Sequence, residues 1–518
     1  MPQPALPDLI AAAAQADEPG FIPVSPIKPG GVDPLGLRQI NFDLMDQVFP
    51  GLNNVARHIR PFVVVAWACR RAAQLAPNQG VDRIPVDDLV DFVNRIEVIY
   101  AWSQILRNPE AELPGRQFLA RLLRVDRWTF GGPAWTKLCS ARRDSTAFTA
   151  AINYGPGLKA LGWVTPHTEH PRVLFATDDA DPALDAFESV IADRLDHPAF
   201  CRFGAVEVTT SETKAWSESW ALENLTDAEK RVMANMLRGT AAPPSRRSGC
   251  ALMIEAAKYT STAVAGAVRA AMAGAPSNFV PSSDLDGALK AWRRVQVRQL
   301  FRLSLEALFY WVFLEIGGGT KSTETLVTAF LVQATRRSAD GTARDWLDAT
   351  SVITAAPTAL MDCIEDALDA PPHVDLASTI ADGIAFCLAE PPPQELDHER
   401  ADRLPLSRAR REAGARVDAP ARDFLRHVLE SWVLAQHAYW SIGRGLADAR
   451  AHGKTILRLK VVLDEGGWTH APGVSRAAVP VPTADRLQTA LNLVGECGLL
   501  PVLPTAVTEP IAQERPPD

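Results

Sequence analysis

The sequence predicts a mainly α-helical, multi-domain protein with small β-hairpin modules. Three observations lead to this prediction. Apolar residues recur at helical spacing through most of the chain, whereas strand-like alternation is confined to a few short stretches. A chain of 518 residues is also longer than one hydrophobic core usually serves. The composition, 47% hydrophobic and 22% charged, is that of a globular protein and excludes an intrinsically disordered chain.

Helical periodicity identifies the candidate helices in chain order. The clearest start is LTDAEKRVM, in which Thr226 is followed three residues later by Glu229, the pattern of a capping box. The candidate helices span residues 52–76, 86–107, 115–124, 182–196, 226–238, 251–272, 284–316, 322–337, 356–369, 376–389 and 420–450.

Two hairpins are predicted from short runs rich in β-forming residues. GWVTP (162–166) and RVLFAT (172–177) predict the first, and TILRLKVVL (455–463) with a return near Trp468 predicts the second. A helix lies beside each hairpin, ending in KALGW in one case and spanning 483–497 in the other. A helix beside a hairpin is also found in winged helix-turn-helix modules, so each unit is a candidate winged helix.

Breaks rich in proline and glycine divide the chain. They predict a flexible arm, three helical domains and a frayed tail. The first and third helical domains carry hairpins near 162–177 and 455–475. The predicted boundaries, in order, are 1–33, 34–240, 250–390, 398–500 and 501–518.

Charge and cysteine usage limit the class of protein. The formal net charge of −8 excludes a uniformly basic nucleic-acid coat but leaves a local basic patch open. The seven cysteines are scattered without a CxxC pair, as expected of reduced thiols. The N-terminus lacks the charge of a secretory signal, and the apolar run Leu308–Ile316 is shorter than the ~20 residues of a membrane span. The sequence therefore predicts a cytoplasmic protein without a membrane partner.

The glycine-rich stretch EIGGGTKSTETL (315–326) is suggestive of a phosphate-binding loop. Such a loop needs the lysine directly after its last glycine, but Thr320 separates Gly319 from Lys321. The preceding residues also follow the pattern of a long helix and not of a buried strand. We therefore expect a corner between two helices, with Thr320 or Ser322 capping the second helix.

A basic stripe is predicted on the helix before this corner. Its members recur at i, i+4 with one neighbour beside them, and they are Lys290, Arg293, Arg294, Arg298 and Arg302. Such a stripe would contact the phosphates of nucleic acid, through the forked hydrogen bonds of arginine. The alternative is a solvated face whose cations pair with acidic neighbours, of which Glu306 is the first.

The helix predicted at 420–450 offers a candidate metal face. Projected at 100° per residue, Asp423, His427, Glu430 and His437 gather opposite an apolar stripe. Carboxylates and imidazoles on one helix face can begin a metal site in a helical bundle. No second helix supplies a matching E-x-x-H or H-E-x-x-H motif, so neither a metal nor another cofactor is predicted.

One segment near the N-terminus resembles a known group of proteins. DPLGL (33–37) and MDQVFPGLNNVARHIRPFVVVAW (45–67) combine a Pro-Gly turn, an asparagine cap at Asn53 or Asn54 and a helix that Pro61 should kink. This segment is similar to the N-terminal part of uncharacterised bacterial families encoded in mobile-element and anti-phage defence islands. The resemblance covers about 35 of the 518 residues, implies a role in defence and brings no known active site.

These observations lead to three expectations for function. The first is a non-catalytic component of a bacterial multi-protein system, in anti-phage defence, that binds double-stranded DNA or a partner protein through the basic stripe. The second is an enzyme, a metal-dependent hydrolase or nuclease, whose site is assembled from distant residues. The third is a helical scaffold that binds only protein.

Overall fold

The structure, a computed structural model, describes residues 33–76, 85–116, 119–120, 124–143, 154–273, 279–338, 340–348, 356–389, 403–452 and 458–500. Within these ranges the protein is mainly α-helical with small two-stranded antiparallel sheets, so the predicted fold class is confirmed. Residues 1–32 of the predicted arm, residues 391–397 between the second and third predicted helical domains, and the predicted tail 501–518 lie outside the described residues.

Helices occupy most of the described chain. In order they are α1 (Arg38–Met45), α2 (Ile59–Leu75), α3 (Val86–Arg107), α4 (Pro133–Arg143), α5 (Gly155–Leu161), α6 (Asp181–Val190), α7 (Pro198–Cys201), α8 (Thr210–Trp216), α9 (Asp227–Arg238), α10 (Pro244–Thr260), α11 (Ala265–Met272), α12 (Asp286–Ile316), α13 (Thr323–Gln333), α14 (Ala343–Asp348), α15 (Pro357–Asp369), α16 (Leu376–Ala389), α17 (Leu406–Gly414), α18 (Ala421–His427), α19 (Ala435–His452) and α20 (Leu487–Glu496). A π-helical segment, Val428–Leu434, joins α18 to α19. Each helix in the described part of the chain is too short or too polar to cross a membrane.

Six strands pair into three antiparallel sheets within the described residues. The strands are β1 (Arg127–Phe130), β2 (Val164–Pro166), β3 (Leu174–Ala176), β4 (Val206–Thr209), β5 (Val461–Asp464) and β6 (Gly467–His470). The β2–β3 and β5–β6 hairpins confirm both predictions, with Val164 opposite Ala176 and Val461 opposite His470. The β1–β4 pair was not predicted, because Arg127 pairs with Thr209 across a long stretch of intervening chain.

Two hydrophobic clusters form the interior, and α12 passes through both. Trp292 and Val295 belong to the first cluster, which is built mainly from α1 to α11. From Val297 onwards the buried apolar residues of α12 belong to the second cluster, with α13 to α18. Helix α20 packs into the first cluster, whereas β5 packs into the second. The predicted winged helix, in which α20 would pack beside the β5–β6 hairpin, therefore has no support.

The start of α2 differs from the prediction. The helix begins at Ile59, so Pro61 lies in its first turn, where a missing backbone donor costs nothing. The predicted kink is therefore wrong. Asn53 accepts backbone hydrogen bonds in the preceding turn and does not cap the helix. The backbone N–H of Ile59 instead donates to the carboxylate of Glu496, 2.7 Å away at the end of α20.

Other local predictions are confirmed. The Thr226 hydroxyl accepts from the backbone N–H of Glu229, and the Glu229 carboxylate accepts from that of Thr226, which completes the capping box. The glycine stretch is a corner: α12 ends at Ile316, and the Ser322 side chain accepts from the backbone N–H of Thr325 at the start of α13.

Candidate functional site

The basic stripe on α12 is not a continuous surface. Lys290 is exposed and pairs with Asp286 one turn earlier, at 2.7 Å. Arg302, in contrast, is fully buried and donates to Glu306 at 2.6 Å and to the Val481 carbonyl at 2.6 Å. The C-terminal end of the stripe is therefore buried, and the pairing with Glu306 that the alternative reading expected is present.

The other three stripe residues also contact the protein. The Arg298 side chain is 1% exposed and donates to the carbonyl of Leu404 at 3.4 Å. Arg293 donates to the Ala273 carbonyl at 2.7 Å, and half-buried Arg294 donates to Gln47 at 3.4 Å. Of the stripe residues, Arg298 and Arg302 are therefore buried where α12 enters the second hydrophobic cluster, whereas Arg293 and Arg294 are half-buried.

The middle of α12 is a polar seam between neighbouring segments. Gln296 donates to Asp485 at 3.1 Å, and Asp485 also accepts from Arg269 on α11 at 2.6 Å. Gln299 accepts from Asn41 on α1 at 3.3 Å. Buried polar groups are stable only with such partners, so the seam fixes the position of α12. These polar residues hold elements together and do not form a binding surface.

The candidate metal face is not assembled. Asp423 pairs with Arg426 at 3.3 Å, Glu430 is exposed, and His427 contacts Glu412 at 2.9 Å. The π-helical segment lies between His427 and His437, and its wider turn changes the phase that a constant 100° per residue assumes. Among the described residues no group of three histidine, cysteine or carboxylate side chains could hold a metal ion.

His437 instead binds the DPLGL segment. Its Nδ1 lies 2.9 Å from the Pro34 carbonyl, and its Nε2 accepts from the backbone N–H of Lys460, also at 2.9 Å. Burial lowers the pKa of His437 to about 4, so the ring is neutral and its hydrogen lies on Nδ1. Three further side chains donate to carbonyls of this segment: Trp440 to Asp33, Gln436 to Leu35 and Arg403 to Gly36.

An apolar pocket lies between α2, α3, α5 and the β2–β3 loop. Its volume is about 450 Å³. Val65 and Ala72 of α2, Leu89 and Val93 of α3, and Leu158 of α5 form its walls. These helices present apolar residues to one another, and the hairpin closes one side through β3. The pocket is therefore a built cavity whose interior is mostly aliphatic.

The polar groups of the pocket are concentrated in the β2–β3 loop. His167, Glu169, His170 and Arg172 all line it there, whereas Asn94 on α3 is the polar lining residue from a helix. The two imidazole rings stack, with their centroids 5.5 Å apart and their planes inclined by 19°. Most polar lining groups therefore lie in the loop and the helices contribute mainly apolar walls, as in many sites for small molecules.

Hydrogen bonds fix the orientation of His167. Its Nδ1 accepts from the backbone N–H groups of Glu169 and His170, both at 3.2 Å. A ring nitrogen that accepts cannot carry a hydrogen, so the neutral ring carries its hydrogen on Nε2. Arg172 pairs with Asp87 at 2.9 Å, and both side chains are largely exposed.

Cys69 lines the apolar part of the pocket. Burial raises its pKa to about 12, so the side chain is a thiol at neutral pH. A thiol is a weak nucleophile compared with a thiolate, and Cys69 therefore acts as an apolar wall.

Sequence reasoning did not identify this pocket. His167 and His170 fall between the two predicted strands, 162–166 and 172–177, and nothing in the sequence was ground for assigning them a role. The available signal was the combination of two helices with apolar faces and a loop that contains two histidines and an arginine.

Comparison of the chain with protein-family models, with curated proteins and with solved structures finds no match.

Proposed function

We propose that this protein binds a small, largely apolar molecule in the pocket between α2, α3, α5 and the β2–β3 loop. The observation that carries the proposal is a cavity of about 450 Å³ with aliphatic walls and its polar groups at one end. This volume lies within the ~300–1,000 Å³ typical of small-molecule sites. Removal of an apolar ligand from water would supply the affinity, at ~25 cal/mol per Å² of buried apolar surface.

Binding of DNA through the stripe and a role in anti-phage defence stay predictions from the sequence. The burial of Arg298 and Arg302 removes two of the side chains that were expected to contact phosphates. Ligand binding is therefore the function that the geometry supports best. In a multi-protein system, such a component would sense or carry the ligand for its partners.

A fluorescence titration with N-phenyl-1-naphthylamine, an uncharged apolar dye, tests this proposal on the full chain. The informative variant is Val90→Trp, because Val90 lines the pocket on α3 and is half-buried. The indole should occupy the cavity and weaken binding of the dye by about tenfold, or ~1.4 kcal/mol.

The matched control is Val332→Trp on α13, where the valine is 67% exposed and outside the pocket. This variant should bind the dye as the wild type does. Equal binding by both variants would show that the dye binds elsewhere. Absence of saturable binding by the wild type would also refute the proposal.

A further inference from the structure

We infer that the ligand carries an anionic, hydrogen-bond-accepting head, such as a carboxylate, at the β2–β3 loop and an apolar tail between α2 and α3. This inference rests on the proposed function of the pocket. It adds the chemical class of the ligand and the orientation of the ligand in the pocket.

The first support is the donor character of His167. Because its Nδ1 accepts from two backbone N–H groups, its Nε2 carries the hydrogen. A ligand group that meets this edge of the ring must therefore be an acceptor. The ring keeps this orientation because two hydrogen bonds and the stack with His170 hold it.

The second support is Arg172, which lines the same end of the pocket. Its partner Asp87 is 75% exposed, and ion pairs between exposed side chains contribute little stability. The guanidinium has five donors and can add a ligand carboxylate to its existing contact. Neither His167 nor Arg172 offers an acceptor to a cationic head.

Glu169 is the opposing group at this end, and it is the side chain that a cationic head would choose. Glu169 and Asp87, which already pairs with Arg172, are two carboxylates beside one guanidinium, so net charge does not favour an anion. The selection comes from directed donors, because the hydrogen bonds accepted at Nδ1 leave the His167 ring with a donor at Nε2. The head-group comparison below distinguishes the two alternatives.

Three ligands with the same ten-carbon tail test the inference: decanoate, decan-1-ol and decylammonium. Each displaces N-phenyl-1-naphthylamine from the full chain at neutral pH. Decanoate should bind about tenfold more tightly than decan-1-ol, as expected for one added charge-assisted contact. Decylammonium should bind most weakly.

Two variants locate the head group. His167→Asn keeps a side-chain acceptor for the backbone N–H groups of the loop and removes the Nε2 donor. Arg172→Gln removes the charge. Each should weaken decanoate binding by about fivefold to tenfold and decan-1-ol binding by clearly less, because the alcohol accepts a hydrogen bond but carries no charge. The control is Arg127→Gln, which alters an exposed ion pair with Glu207 away from the pocket and should change neither affinity.

The outcomes separate the two proposals. Binding of decan-1-ol with equal or weaker binding of decanoate would overturn the anionic head and retain the pocket. The tightest binding by decylammonium would assign the head-group contact to Glu169, which also overturns the inference. Failure of the dye and all three ligands to bind would refute the proposed function itself. Loss of decan-1-ol binding in both loop variants would show that the loop only shapes the pocket.

Discussion

Gly36, the glycine of the DPLGL segment, should not tolerate alanine, because its backbone and its surroundings both exclude a side chain. Its φ of +73° lies in the left-handed region. A Cβ placed there would come within 2.7 Å of Cγ and 2.9 Å of Cε2 of Trp440. The Trp440 ring cannot move away easily, because its Nε1–H donates to the Asp33 carbonyl and the Arg403 guanidinium lies 4.0 Å from a ring centroid.

The size of the effect follows from these two terms. A non-glycine residue in the left-handed region costs roughly 1–2 kcal/mol. Overpacking against a fixed aromatic ring costs about 1–3 kcal/mol. Gly36→Ala should therefore lower the free energy of unfolding by about 2–5 kcal/mol. The upper end of this range applies if the hydrogen bonds to the neighbouring carbonyls are also lost.

Two control glycines separate the terms. Gly162 has a φ of +90°, and no heavy atom lies within 4 Å of the point that an alanine Cβ would occupy, so Gly162→Ala carries only the backbone cost. Gly414 on α17 also has open space and an ordinary helical backbone, so Gly414→Ala should be neutral or stabilising by about 0.4–1 kcal/mol.

Urea unfolding followed by tryptophan fluorescence and circular dichroism measures all three variants. The two signals should coincide if the chain unfolds in one transition, and otherwise the midpoint of each transition is compared. If Gly36→Ala were no more destabilising than Gly162→Ala, the close packing of the segment on Trp440 would be refuted.

Two further predictions concern buried charged or titratable groups. The pKa of His437 is lowered from 6.5 to about 4 in the folded chain. Between these two pH values the imidazole is protonated in the unfolded chain but neutral in the folded chain. Stability from this group should be complete above pH 6.5 and fall by about 3 kcal/mol between pH 6.5 and 4, at ~1.36 kcal/mol per pKa unit. The unfolding free energy of the wild type relative to that of His437→Gln should therefore fall as the pH is lowered through this window. A difference that does not change with pH would contradict the assignment. On α12, Arg302→Met should cost about 3–5 kcal/mol, since it leaves Glu306 buried without its partner. The matched change Lys290→Met, in an exposed i, i+4 pair with Asp286 on the same helix, should cost under about 1 kcal/mol. Equal costs in thermal or urea unfolding would contradict the burial of Arg302.

The features that the sequence predicted correctly depend on neighbouring residues. The Thr226–Glu229 capping box, the glycine corner before Ser322 and the two hairpins each join residues that are close in sequence, at most the twelve positions from Val164 to Ala176. Local preferences decide such elements, because capping and turn formation need no distant contact. The β1–β4 pair has no such local signal, and it was missed.

The candidate sites depended on contacts that a single helix does not show. The i, i+4 spacing placed Arg298 and Arg302 on one face correctly, but spacing does not say what covers that face. The carbonyls of Leu404 and Val481, both far away in sequence, cover it. The candidate metal face on this part of the chain is not assembled for a related reason. The projection assumed a constant helical repeat, which the π-helical segment at Val428–Leu434 interrupts.

The position of α12 explains why the function should be sought at the β2–β3 loop. A 31-residue helix that lies in two hydrophobic clusters has little surface left for a ligand, and its buried cations already have partners. Exposing Arg302 to DNA would break its contact with Glu306 and leave a carboxylate in the interior, which is costly. His167 and Arg172, in contrast, line a cavity beside apolar walls. Polar donors there can bind a ligand without breaking a buried contact, so recognition at the loop costs less free energy than recognition at α12.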